Sequence, residues 1–355
     1  MINLRYHIVS ITAVFLALGI GLAFGASFVD RSIVNALNDN LEAVERQNVR
    51  LEAENAHVAA QLRVLDEMEA AVLEQGVAQL VAGRLAGVPV VFLAVRGIDE
   101  NSVNLARDAV VASGADFGGI LWLTDRLVLD DESEVGDLAA ALAVDSTDPD
   151  ELRAVLTRRL GAVLADAAQS APVEPPVVVG ATTTSTLVGT PRPVPELIQA
   201  LLSGQFLELD GPDPAPTGFA LLPDAGARYV VVSGPGASVP DIELLVPLLS
   251  AITADPPSGA ARPVVVAAQP GPRFDPDPPD GSDPAAERVV FVGLLRSDET
   301  LRDRLSTVDD LEFFAGLIAG VLALEDGPSG QFGHYGIGAG AQSLLPAPPE
   351  PVPGG

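Results

Sequence analysis

Side chains able to do chemistry are scarce in this chain. It holds three histidines (His7, His57 and His334), two methionines (Met1 and Met68) and no cysteine. Disulfides, thiolate metal sites and cysteine nucleophiles are therefore excluded. Copper(I) prefers thiolate and thioether ligands, and copper(II) prefers imidazole. This supply makes no evident high-affinity copper motif. His334 is the metal candidate carried forward, with Met68 or His57 and carboxylates as the donors it would have to meet. The carboxylates of Asp275, Asp277, Asp280 and Asp283 lack EF-hand spacing and read as a solvated acidic loop. The run Ser233-Gly-Pro-Gly-Ala-Ser238 follows an expected strand and precedes an expected helix, where backbone amides can cradle an anion. It lacks the full GxGxxG spacing, and a chain without lysine cannot build a Walker loop, so a tight turn is the plainer reading. Thr182–Thr186 reads as a polar loop. No hydrolase triad is visible. The expectation is a protein that is not an enzyme, with no catalytic and no cofactor-binding residue.

Composition sets the partners. The net charge is -28 and all 20 basic side chains are arginine. Binding to nucleic acid or to anionic lipid needs basic patches, so both are disfavoured. Hydrophobic residues make up 48% of the 355, enough for a sizeable core.

These residues must be positioned by three kinds of element. From Tyr6 to Val29 there is no Asp, Glu, Lys or Arg. The apolar stretch 8–29 spans about 33 Å as a helix, against a bilayer core of about 30 Å. A cleaved signal peptide has a shorter apolar region, so an uncleaved transmembrane signal anchor over 1–30 is expected. Arg5 favours a cytoplasmic N-terminus, although Arg31 on the other flank blunts that argument. The protein is then single-pass in the cell membrane, with its C-terminal domain extracytoplasmic.

Residues 31–76 carry a heptad repeat. Position a falls at Val34, Leu41, Asn48, Asn55, Leu62 and Glu69. Position d falls at Leu37, Val44, Leu51, Val58, Leu65 and Val72. Six apolar d positions without a Gly or Pro predict a parallel coiled coil. Its seam comprises Leu37, Leu41, Val44, Asn48, Leu51, Asn55, Val58, Leu62 and Leu65. Asn at a is tolerated where it meets its counterpart in a parallel dimer, so a parallel homodimer is expected. The alternative is a long amphipathic helix packed on its own globular domain. His57 falls at the outward position c.

Residues 77–345 change pattern. Strands are expected at Val88–Val95, Phe117–Thr124, Val177–Gly180, Tyr229–Ser233, Val264–Ala268 and Val289–Leu295. Helices are expected at Asp99–Ser113, from Asp148 to about Ala168, and at Pro195–Leu202, Pro240–Thr253, Thr300–Leu305 and Leu311–Leu324. Val-rich strands alternating with helices predict an α/β domain with a doubly wound, mostly parallel sheet. The acidic Pro/Gly stretch 270–287 reads as a loop and 346–355 as a disordered tail.

Both ends of the chain resemble a known family. Met1-Ile-Asn-Leu-Arg-Tyr-His7 running into the apolar stretch, Ser306-Thr-Val-Asp-Asp310 before an apolar helix, Gly333-His-Tyr-Gly336 and Leu344-Leu-Pro346 are similar to the MctB-like copper transport family of actinobacterial envelopes. That resemblance implies a role in copper export or homeostasis, with copper as the transported ion. It also implies a second role, as relatives are linked to cell separation and control of wall hydrolysis through a membrane partner. The family's outer-membrane channel description conflicts with the residues, because a membrane barrel needs many alternating segments of about ten residues. Two hypotheses follow: a transport-associated protein for copper, and a dimeric coiled-coil envelope scaffold that docks a membrane partner and shows an apolar patch on the surface of its globular domain.

Overall fold

The fold was obtained as a computed structural model. It describes residues 4–169, 195–211, 222, 226–256, 261–271 and 291–347; within the first helix, side chains are described at 6–25, 41, 44–64, 67 and from 76 onward. The chain forms two compact units, Met1–Met68 and Glu69–Gly355. The expected strand at 177–180, nearly all of the acidic loop 270–287 and the tail from 348 lie outside the described residues.

Helix α1 runs from Leu4 to Val81 without interruption. No Pro breaks it, and it carries the apolar stretch and the heptads as one rod. Its segment Tyr6–Gly25 has a mean hydropathy of 2.3 and buries nothing within the chain. In the second unit, the last turns of α1 place Val77 and Val81 in a core with Leu85.

Among the described residues, seven strands form one sheet in the order β3-β2-β1-β4-β5-β6-β7. These are β1 (Pro89–Val95), β2 (Asp116–Leu123), β3 (Leu207–Asp210), β4 (Arg228–Val232), β5 (Val264–Ala268), β6 (Ser306–Val308) and β7 (His334–Tyr335). All neighbours are parallel except β3, which runs antiparallel to β2. The central strands are Val-rich because both faces are covered. Val91, Leu93 and Val95 of β1 face a core built with α3 (Glu132–Leu142), α4 (Pro149–Ala168), α5 (Glu196–Ser203), α6 (Val246–Ile252) and α7 (Phe291–Ser297). Val90, Phe92 and Ala94 face a second core built with α2 (Glu100–Ala112) and α8 (Phe314–Asp326). Each fully buried Leu or Val contributes about 1.5–3 kcal/mol.

Local signals explain several boundaries. The Asp99 carboxylate accepts from the Ser102 amide and starts α2; Ser113 then caps its C-terminus and Gly114 follows at φ +83. Asp148 accepts from the Asp150 amide at 3.0 Å, with Pro149 at the first position of α4, as the capping chemistry predicts. Gly161 of α4 lies against Ala251 of α6, where a Cβ would clash.

Two expectations are overturned. Val289–Leu295 is not a strand, since α7 occupies residues from Phe291 onward. An apolar run of this length does not distinguish strand from buried helix. Here the Gln269 side-chain oxygen accepts from the amides of both Phe291 and Val292 and caps a helix, and the place beside β5 is taken by β6. Thr300–Leu305 is not a helix but a series of turns. The Asp298 carboxylate accepts from the Thr300 and Leu301 amides, and the chain must return at once to β6.

Candidate functional site

The most organised polar cluster lies where α7, β6 and β7 meet. Arg296 ends the buried face of α7 and carries its guanidinium into the protein. Its Nη1 donates to Asp309 Oδ2 at 2.7 Å, its Nε to Thr307 Oγ1 at 2.8 Å, and its Nη2 to the Tyr335 carbonyl at 2.8 Å. The ion pair is buried: the two side chains are 4% and 10% exposed. Asp309 in turn accepts from the Ile337 amide at 2.8 Å and the Gly338 amide at 3.0 Å. Gly336 sits at φ +125, and a Cβ there would run into the Asp309 carboxylate. The cluster thus ties the C-terminal segment to the sheet edge, with both charges saturated by donors and acceptors.

His334 belongs to the same network. Its Nδ1 lies 2.9 Å from Thr307 Oγ1, and its ring also bonds the Arg302 backbone. Thr307 accepts from Arg296, so its own proton is free to be donated to Nδ1. Burial pushes the imidazole below its ordinary pKa, helped by the Arg296 charge and opposed by the Arg302 backbone bond and Asp303. The surroundings thus disfavour the charged ring.

In a sheet of this order, ligands bind at the carboxyl ends where the order reverses, between β1 and β4. Here the two loops close on each other. Gly97 (φ +93) and Gly236 (φ +84) touch so closely that a Cβ on Gly236 would lie 2.7 Å from the Gly97 carbonyl. The Ser238 amide donates to the Arg96 carbonyl at 2.8 Å. Buried Ser233 donates to Asp241 Oδ1 at 2.6 Å, at the start of a π-helical turn over Asp241–Leu245. Burial raises the Asp241 pKa, and the Ser233 bond opposes it. Alongside, Arg96 stacks over Trp122 at 4.3 Å and pairs with Glu100 and Glu208.

Comparison with known proteins bears on what these sites serve. The chain matches the family described as Copper transport outer membrane protein, MctB, over residues 1–346. This chain belongs to the MctB family. It is 24% identical over 370 residues to Copper transporter MctB of Mycobacterium tuberculosis (strain ATCC 25618 / H37Rv), covering 97% of this chain and 99% of that protein. It is 25% identical over 358 residues to Copper transporter MctB of Mycobacterium leprae (strain TN), again covering 97% of this chain and 99% of the relative.

Two of the segments that resemble the MctB family, Ser306–Asp310 and Gly333–Gly336, supply Thr307, Asp309, His334 and Tyr335 to the buried network. His334 is thereby brought together with Thr307 and Arg296. His7 and His57 are exposed on α1, and the Met68 side chain lies outside the described residues. So do Asp275, Asp277, Asp280, Asp283 and Thr182–Thr186. Among the described residues, no group of three or more His, Asp or Glu stands close enough to hold a metal. At the positions expected to form a seam, Leu41, Val44, Leu51, Val58 and Leu62 are 47–58% exposed within one chain, and Asn48 and Asn55 are exposed beside them. The backbone of Leu37 and Leu65 is helical; their side chains lie outside the described residues. The Arg296–Asp309 pair is the feature sequence reading missed. Its signal was an arginine closing the apolar run FVGLLR, because an arginine on a buried face requires a partner.

Proposed function

We propose that this protein is held in the cell membrane by Tyr6–Gly25, carries its α/β unit on the extracytoplasmic side and serves copper export or homeostasis. The observation that supports this reading is the near full-length match to relatives named copper transporter. One span does not line a pore by itself. The described strands are two to eight residues long and, except for β3, parallel, and helices cover both faces of the sheet. A membrane barrel uses antiparallel strands of about 9–11 residues instead. In this reading a membrane partner therefore supplies the pore, with copper as the ion moved rather than a resident cofactor. The test is the cellular copper content of a deletion strain in sub-toxic copper. Accumulation reversed by complementation is expected; unchanged copper overturns the reading.

One observation favours a second reading. The apolar stripe along α1 is exposed within one chain, which suits a dimeric coiled-coil scaffold that docks a membrane partner in cell separation or wall-hydrolase control. In that case deletion leaves copper unchanged, and cells separate late, seen as chains under the microscope.

A further inference from the structure

We propose that two copies of this chain pair in parallel along residues 34–72 and that Asn48 and Asn55, each facing its counterpart, hold the pair two-stranded and in register. This deepens the scaffold reading and rests on it.

The argument begins with exposure. α1 is continuous, and between the span and the second unit its described side chains are all exposed within one chain. Most helical stability in proteins comes from packing an apolar face, and here that face is Leu41, Val44, Leu51, Val58 and Leu62, at a and d heptad spacing. It has no cover within its own unit. A second copy fits it because the stripe is self-complementary, including its two polar interruptions. In a parallel in-register pair, a meets a, so Asn48 meets Asn48 and Asn55 meets Asn55, and each amide is both donor and acceptor. In an antiparallel pair, a layers meet d layers, and each Asn faces Val or Leu and leaves its amide unpaired. That costs about 1–3 kcal/mol per group.

The flanking charges make the same selection. In the parallel register, position g of one helix faces e of the next heptad on the other. That sets Asn40 against Glu45, Gln47 against Glu52, Glu54 against Ala59 and Gln61 against Asp66. Every acidic residue meets a neutral one, and in three of the four pairs the neutral residue is an amide able to donate to it. None of these four pairs is like-charged, although the only charged residues flanking the seam in them are acids; the like-charged contact of this register is Glu69 against its counterpart at position a, in the last heptad. The membrane segment is continuous with the stripe, so both copies leave the bilayer in one direction.

The chain has no cysteine, so single introduced cysteines report on the pairing without background. The full chain, reconstituted in nanodiscs, is oxidised after Val58→Cys at the seam or Val49→Cys on the outer face. A same-residue disulfide needs Cα atoms within about 6.8 Å, which a parallel in-register pair provides at position 58. The expected result is a covalent dimer at Val58→Cys, at least about tenfold above Val49→Cys. Absence of that excess overturns the pairing. Register is read by co-expressing Leu51→Cys and Val58→Cys copies, which cross-link to each other only when one helix slips by a heptad. In the parent, such cross-links are expected to be at most about a tenth of the same-residue ones; with Asn48→Val and Asn55→Val added, the two become comparable. Dimers at Val58→Cys without that change sink the role of the asparagines and leave the scaffold reading standing. Failure at Val58→Cys sinks both.

Discussion

Arg296 and Asp309 show what a buried charge requires. Each would be costly alone in the interior; together with Thr307, the Tyr335 carbonyl and two loop amides, their donors and acceptors are taken up. Removing one partner leaves the other uncompensated. Arg296→Met is expected to destabilise the second unit by about 3–5 kcal/mol, measured by urea denaturation, and Arg296→Met with Asp309→Leu to recover part of the loss. His334 gives a pH dependence of known sign. Its folded pKa lies below the ordinary value of 6.5, so as pH falls the unfolded chain takes up the proton first. Its contribution is complete above about 6.5, is lost as pH falls from there toward the folded value, and levels off below it. The urea midpoint is expected to drop between pH 7.5 and 5 more in the parent than in His334→Gln. Equal drops would show that other groups carry the effect.

At the scale of elements, capping and composition were readable and placement was not. β5 lies where its Val run predicts, and α4 starts at the Asp148-Pro149 signal. Replacing Asp148 by Ala is expected to cost about 1 kcal/mol, and Gly161→Leu considerably more, because α4 and α6 must separate to admit it; thermal denaturation of both variants checks the order. α7 was misread because FVGLL satisfies either period, and its cap comes from Gln269, distant in sequence. β3, β6 and β7 escaped notice because two to four residues carry no readable alternation. α3 does carry a local signal, in its Asp131 cap and acidic first turn. The candidate site was legible in its parts, since Thr307, Asp309 and His334 stand in segments already singled out. Their convergence on Arg296 was not, because it depends on tertiary contacts.

For the whole molecule, the decisive feature is one helix that carries both the apolar span and the heptads. A charge at the middle of the span, Leu16→Arg, is expected to disfavour insertion by about 2.5–3.5 kcal/mol and to move protein from the membrane to the soluble fraction on flotation; Leu16→Phe is expected to leave it in place. The continuity of α1 from Leu4 to Val81 also fixes an angle. At about 100° per residue, Gly25 lies half a turn around the helix from Val34, and Gly21 falls on the same far side. Both glycines have open space around them in the single chain. In a pair joined along Val34–Val72, the two-fold axis runs down the seam, so Gly21 and Gly25 point away from that axis; if Tyr6–Gly25 spans the membrane as proposed, they face lipid. A helix that packs on those glycines meets the pair from outside, as a third party.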